Sequence, residues 1–129
     1  MKKVINSPAA PAAIGPYSQA IQLGNMVFTS GQLPLDPVTM VFPEGGIKEQ
    51  TVQALKNVQA VVEQSGGTLA SVVKTTCFLS DMAHFAQFNE VYLDFFGTDA
   101  APARSCVEVS ELPKSALVEI EAIAFVNAE

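Results

Sequence analysis

Tryptophan is missing from this chain, arginine and histidine occur once each, and cysteine only twice. Each scarcity closes off a class of function. With His84 alone and no Cys/His cluster, a zinc site has too few ligands, so no metal is expected. Cys77 and Cys106 form no CxxC pair and lie in strand-like runs, which points to reduced thiols rather than a disulfide. Basic residues are few and scattered: seven Lys and Arg face 13 Asp and Glu, for a formal charge of -6. No basic stripe offers a footprint for phosphate backbones, and nucleic acid is not the expected partner. Long apolar runs are lacking too. None approaches the roughly 20 residues needed to span a bilayer, and the two N-terminal lysines are followed by no continuous apolar stretch. The expectation is a cytoplasmic protein with no membrane partner.

What is present, 129 residues of which 49% are hydrophobic, suits one domain over residues 1–129 built on a single core. From Ser7 to Pro16 the chain is rich in Pro and Ala, so an extended arm held by docking is expected rather than a helix. "YSQAIQL" and "MVFTSGQL" flank Gly24-Asn25, which predicts a hairpin over residues 17–23 and 26–30. Prolines and glycines between Pro34 and Gly46 mark a long loop. From Lys48 to Ser65, Val52, Leu55, Val58, Val61 and Val62 recur at three- and four-residue steps, the mark of an amphipathic helix stopped by Gly66-Gly67.

"SVVKTTCFLSD", rich in β-branched residues, reads as a strand. Asp81 then caps a second helix running through Phe96, with Phe85, Phe88, Val91, Tyr92 and Phe95 on one side and Gly97 past its end. "ARSCVEVS" and "LVEIEAIAFV" supply two final strands, expected to pair as a hairpin across "SELPKSA". Such an order favours an α/β (α+β) fold, a mixed sheet with both helices on one face. In the last strand Val118, Ile120, Ala122, Ala124 and Val126 point one way, and Glu119, Glu121, Ile123 and Phe125 the other. Neither side is plainly solvated. The face without helices is therefore expected to be covered by other copies of the chain in a closed homo-oligomer.

Arg104, the lone arginine, heads a strand that otherwise looks buried, and a guanidinium cannot shed its proton to escape such a place. Two readings stand. One is a structural ion pair with Glu119, Glu121 or a subunit neighbour; the other is a planar fork waiting for a ligand carboxylate, gripped through two parallel hydrogen bonds. Register across the final pair of strands decides whether Arg104 meets the acids. With Cys106 opposite Glu119, the residues Arg104, Cys106, Glu119 and Glu121 share a face; with Val107 opposite Glu119, they separate and a site built on that shared face fails.

"AIGPYSQA", "MVFTSGQLP", "FNEVYLDFF", "PARSCVEVSELPK" and "VEIEAIA" together resemble the reactive intermediate deaminase family, also called Rid or YjgF, from about residue 10 to 126. The resemblance implies a chorismate-mutase-like fold, a homotrimer around a central barrel, and pockets between neighbouring subunits. It implies that Arg104 binds a carboxylate, that Glu119 is the acid beside the reacting water, that Cys106, Ser30 and Gly31 line the pocket, and that Tyr17 and Asn89 complete its walls. The implied reaction is cofactor-free hydrolysis of 2-imino acids and their enamine tautomers, such as 2-aminoacrylate and 2-iminobutanoate, to 2-oxo acids and ammonium.

Each of these residues has a plainer alternative. Tyr17 also suits a core or interface aromatic, Cys106 a packed thiol, Ser30 a hydrogen-bonding hydroxyl with no histidine to activate it, Asn89 and Glu121 solvated positions, and His84 an exposed one. The chain also departs from the family pattern. "GTDAA" is shorter than in many members, Ala101 replaces an aromatic often found before the proline, and "VTMVFPEGG" lacks the usual Thr-Gly turn. A non-catalytic module binding a small carboxylate is the second functional reading. Ribonuclease activity, ascribed to some relatives, stands third because the acidic balance opposes it.

Overall fold

A computed structural model gives the structure of the chain, described for residues 1–126. The strands are β1 (Lys2–Ile5), β2 (Ala20–Leu23), β3 (Met26–Thr29), β4 (Val72–Leu79), β5 (Ala103–Glu108) and β6 (Val118–Phe125); the helices are α1 (Ile47–Gln64) and α2 (Phe85–Phe96). They build one mixed sheet in the order β1-β2-β3-β6-β4-β5, antiparallel except for the β4–β5 pair. Both helices pack on one face.

The helices form where the apolar steps predict. α1 buries Ala54, Leu55, Val58, Val61 and Val62 against the sheet, and it ends where the amides of Gly66 and Gly67 donate to the carbonyls of Glu63 and Val62. Asp81 does cap, but its carboxylate accepts from Ala83 N at 2.8 Å and opens a single 3-10 turn, Met82–His84, that leads into α2. His84, expected to be exposed, is half-buried, with Nδ1 shut away from solvent at the start of the helix. Along α2 the rings of Phe85, Phe88, Tyr92 and Phe96 form a ladder with centroids 4.7 to 6.2 Å apart.

Two expectations about strands are corrected. Lys2–Ile5 forms an additional strand, β1, on the edge beyond β2. And β5 and β6 do not pair with each other. The unit β4–α2–β5 is a crossover that lays β5 parallel beside β4, after which the chain returns to insert β6 between β4 and β3. Successive strands thus flank β4 from opposite sides, and the hairpin rule fails because a better-buried slot exists in the sheet centre.

The expected alternation in β6 is observed: Val118, Ile120, Ala122 and Ala124 are buried beneath the helices. On the opposite face Phe28, Val107 and Phe125 stay 42 to 47% exposed, with Phe78 and Ile123 half-buried among them. The N-terminal arm is docked as expected, and one buried side chain does most of the docking. Gln19 accepts from Ser7 N at 2.6 Å through Oε1, while its Nε2 donates to the carbonyls of Ser7, Ala10 and Pro11. Asn57 on α1 performs the same service for the following loop, donating to Leu33 O and Leu35 O at 2.9 Å each.

Phe88, fully buried between two rings, is the largest such side chain. Its truncation in Phe88→Ala is expected to cost roughly 3–5 kcal/mol, read as a lowered midpoint in urea denaturation.

Candidate functional site

Arg104 pairs across the sheet with Thr75, and Cys106 with Cys77. Both therefore lie on the face that carries the helices, because Thr75 and Cys77 are core residues there. The strand expected to be buried is not: every β5 residue except half-buried Cys106 is exposed, because β5 is the sheet edge, and there the guanidinium of Arg104 reaches over α2. Its Cζ stands 4.6 Å from the ring centroid of Tyr92 and 5.5 Å from that of Phe85, and Nη1 donates to Asn89 Oδ1 at 2.7 Å. Phe85, Asn89 and Tyr92 fall on one side of α2 because they are spaced one turn apart. The Tyr92 ring is itself held by a 2.7 Å hydrogen bond between its hydroxyl and Thr75 Oγ1.

Among the described residues no carboxylate lies within salt-bridge distance of Arg104. Among the described residues the salt bridge found is Lys48–Glu90 at 2.6 Å, on the surface between the two helices. Pairing with Glu119 or Glu121 within the chain is ruled out by register. Glu119 is opposite Phe78 and Glu121 opposite Thr76, so both acids project from the face without helices. Val107 also lies beside Phe78, which is the register that separates arginine from acids. Arg104, Asn89 and Tyr92 border a recess of about 430 Å³.

A second, larger cavity of about 570 Å³ brings together Tyr17, Ser30, Gly31 and Glu119, and adds Pro11, Ile14, Leu35, Met40 and Lys114. Two segments shape it. The arm supplies Pro11, Ile14 and Tyr17, whose hydroxyl accepts from Ile14 N at 3.3 Å. The stretch after β3 supplies Ser30 and Gly31, fixed by a Ser30 Oγ to Ser18 O bond of 2.6 Å, a Ser30 N to Gln19 O bond of 2.8 Å, and a bridge between Gln32 and Ile120. Ser30 is thus a structural hydroxyl. Gly31 lies so close to Glu119 that a Cβ there would push the carboxylate aside. Burial pushes the Glu119 carboxyl above the usual glutamate range, and the charge of Glu121 adds to the effect.

Cys106 shares the face of Arg104 without forming a wall of either recess. Burial raises its thiol above the usual cysteine range although Arg104 draws it down. Cys77, in the core, is pushed up to about 12 by burial. Of the seven residues singled out in the sequence, four gather in one cavity and two at the other. The ring clamp of Phe85 and Tyr92 and the walls Ile14, Met40 and Lys114 were missed. Spacing on α2 could have found the clamp. Lys114 could not be found, because its place depends on left-handed backbone at Lys114 and Ser115, φ 58° and 59°.

Among the described residues no helix is long and apolar enough to cross a membrane. Comparison with known proteins follows from this geometry. The family model described as Endoribonuclease L-PSP matches residues 7–126. A RutC family protein of Pyrococcus horikoshii is 53% identical over 97% of this chain and 98% of its own length. The protein named "Putative reactive intermediate deaminase TdcF" of Escherichia coli K12 is 47% identical over 99% of this chain and all of its own. Among solved structures, a Rid protein, YyfA of Yersinia pestis, superposes with a TM-score of 0.94 at 50% identity, covering 98% of this chain and 100% of that one. E. coli TdcF with bound serine gives 0.89 at 46% identity, covering 95% and 98%. The fold, the five sequence motifs and these relatives agree: the chain belongs to the Endoribonuclease L-PSP family, the YjgF or Rid group.

Proposed function

We propose that the chain hydrolyses 2-imino acids and their enamine tautomers to 2-oxo acids and ammonium, in sites completed between copies of the chain. The observation that carries the reading is Arg104: a permanent cation oriented by two rings and a neutral amide, with no carboxylate among the described residues spent on it. Membership of a family that includes a protein named for reactive intermediate deamination supports the same chemistry.

The two half-sites lie on opposite faces of one sheet, so a site using Arg104 and Glu119 draws them from two chains. The uncovered apolar face around Phe28, Val107 and Phe125 supplies the reason for such contact, and a homotrimer closed around these faces satisfies every copy equally. Across that seam Arg104 grips the substrate carboxylate with two charge-assisted hydrogen bonds and fixes the imine carbon against water. Glu119 of the facing copy takes a proton from that water as its oxygen bonds to the imine carbon, and passes it to the nitrogen, which receives the electron pair of the C=N double bond. Glu119 then takes the hydroxyl proton of the carbinolamine and gives it to the nitrogen as the carbonyl forms and the carbon–nitrogen bond breaks; ammonia leaves and takes up a solvent proton to become ammonium. A raised carboxyl is the better base, and a positioned acid/base group gives roughly 10²- to 10⁴-fold.

The experiment is release of ammonium and 2-oxobutanoate when the protein is added to a threonine dehydratase reaction. Acceleration is expected from the wild type and none from Arg104→Ala or Glu119→Gln alone. Mixing these two variants, after partial denaturation and reassembly, should restore activity, because some seams then carry an intact residue on each side. Tight binding of 2-oxobutanoate without turnover would instead favour a carboxylate-binding module, while salt-sensitive RNA binding would favour the nuclease named by the family description.

The pH profile is a second check. Glu119 acts as base only when ionised, so activity falls as pH drops through its raised pKa, above the range of an ordinary glutamate. Glu121→Gln removes the lesser of the two causes of that shift and should move the acid limb to lower pH; a limb that moves to higher pH would count against Glu119 as the base.

A further inference from the structure

Resting on the deaminase reading, in which Arg104 anchors the substrate carboxylate, we propose that Thr75 and Tyr92 form a positioning pair for that arginine, so that affinity depends on a buried bond no substrate touches. Thr75 lies directly beside Arg104 in the parallel β4–β5 register and is fully buried, and Tyr92 is 5% exposed. Their hydroxyls meet at 2.7 Å. Cys77 Sγ, a thiol that burial pushes up to about 12, donates to Thr75 Oγ1 at 3.8 Å and completes a neutral chain.

A buried hydroxyl is costly until it is bonded, and replacing both partners of such a bond with apolar groups of the same shape is close to neutral for stability. Valine at position 75 and phenylalanine at position 92 would fill the same space, so the fold has little need of the pair. What the bond fixes is the place of a ring. Tyr92 is held by its backbone on α2 and by its hydroxyl on β4, with the rings of Phe88 and Phe96 at 5.7 and 4.7 Å between centroids. The guanidinium stands 4.6 Å over that ring, and a flat cation takes its direction from what it stacks on. Among the described residues its fork makes one hydrogen bond, to Asn89, which leaves donors to meet a carboxylate. Burial raises the Tyr92 hydroxyl above the usual tyrosine range, against the pull of Thr75 and Arg104, so the ring stays a neutral phenol and offers the cation no competing anion.

The test measures calorimetric titration with 2-oxobutanoate, urea denaturation and imine turnover on the same variants. In Tyr92→Phe and in Thr75→Val, the Kd for 2-oxobutanoate and the KM for the imine should rise roughly tenfold while kcat stays near wild type, because the grip on the carboxylate is lost from ground and transition state alike. Thr75→Ser keeps the hydroxyl and should bind as the wild type does. The double variant Thr75→Val/Tyr92→Phe decides between positioning and mere packing: its urea midpoint should return close to wild type while its affinity stays as weak as in either single variant. Val91→Ala, a core truncation in the same helix that removes no hydroxyl, should lower the midpoint and leave Kd unchanged. Affinity that recovers with stability in the double variant, or that never falls in the single ones, would overturn the pair as a positioning device and leave the deaminase reading standing. Wild type that binds 2-oxobutanoate without turnover would overturn the deaminase reading alone, with the Kd series still testing the pair. Neither binding nor turnover would overturn both.

Discussion

Side chains leave a β-strand alternately above and below the sheet, and that alternation governs everything the proposed site can be. β4 lies between β6 and β5, and its residues set two rows. The row of Thr75 and Cys77 carries Arg104 and Cys106 toward the helices; the row of Thr76 and Phe78 carries Glu119 and Glu121 away from them. A slip of one residue in β5 would bring the arginine to the side of the acids, where it would become one half of an ion pair. Register is therefore the difference between a scaffold and a binding group.

The arginine tolerates this isolation because of what surrounds it. A guanidinium is weakly hydrated and flat, so two ring faces and one amide oxygen hold it in place without neutralising it. Lysine could not be held this way, having no plane to stack and no fork to fix. The rings in turn belong to the ladder that fills the interior beneath α2, with Tyr92 tied to Thr75. Core packing and ligand positioning are here the same contacts, so a change in one is felt in the other.

Much of the fold could be read from residues. The three- and four-residue apolar steps of α1 and α2 were long enough to be unambiguous, and the Gly24-Asn25 turn located β2 and β3. β1 escaped because four residues, three of them exposed, carry little alternation. The final strands were legible as strands but their pairing was not: adjacency in sequence suggested a hairpin, and only burial of β6 at the sheet centre places it elsewhere. The site divides in the same way. Arg104 announced itself as a lone cation in an apolar run, and the separated register was one of the two outcomes the sequence allowed. The cavity around Glu119 was out of reach, since Pro11, Met40 and Lys114 come from segments whose paths depend on distant hydrogen bonds.

One of those segments is an arm fastened by a buried amide and by apolar packing together. The arm from Ser7 to Pro11 has no strand of its own to hold it, and its polar groups converge on the amide of Gln19. Ala10 in the middle of the arm is buried in one cluster with Ile5, Ala20, Val27 and Val61, so the wall of the larger cavity is carried by the same packing that joins the sheet to α1, and a cavity made under the arm would be felt at the site.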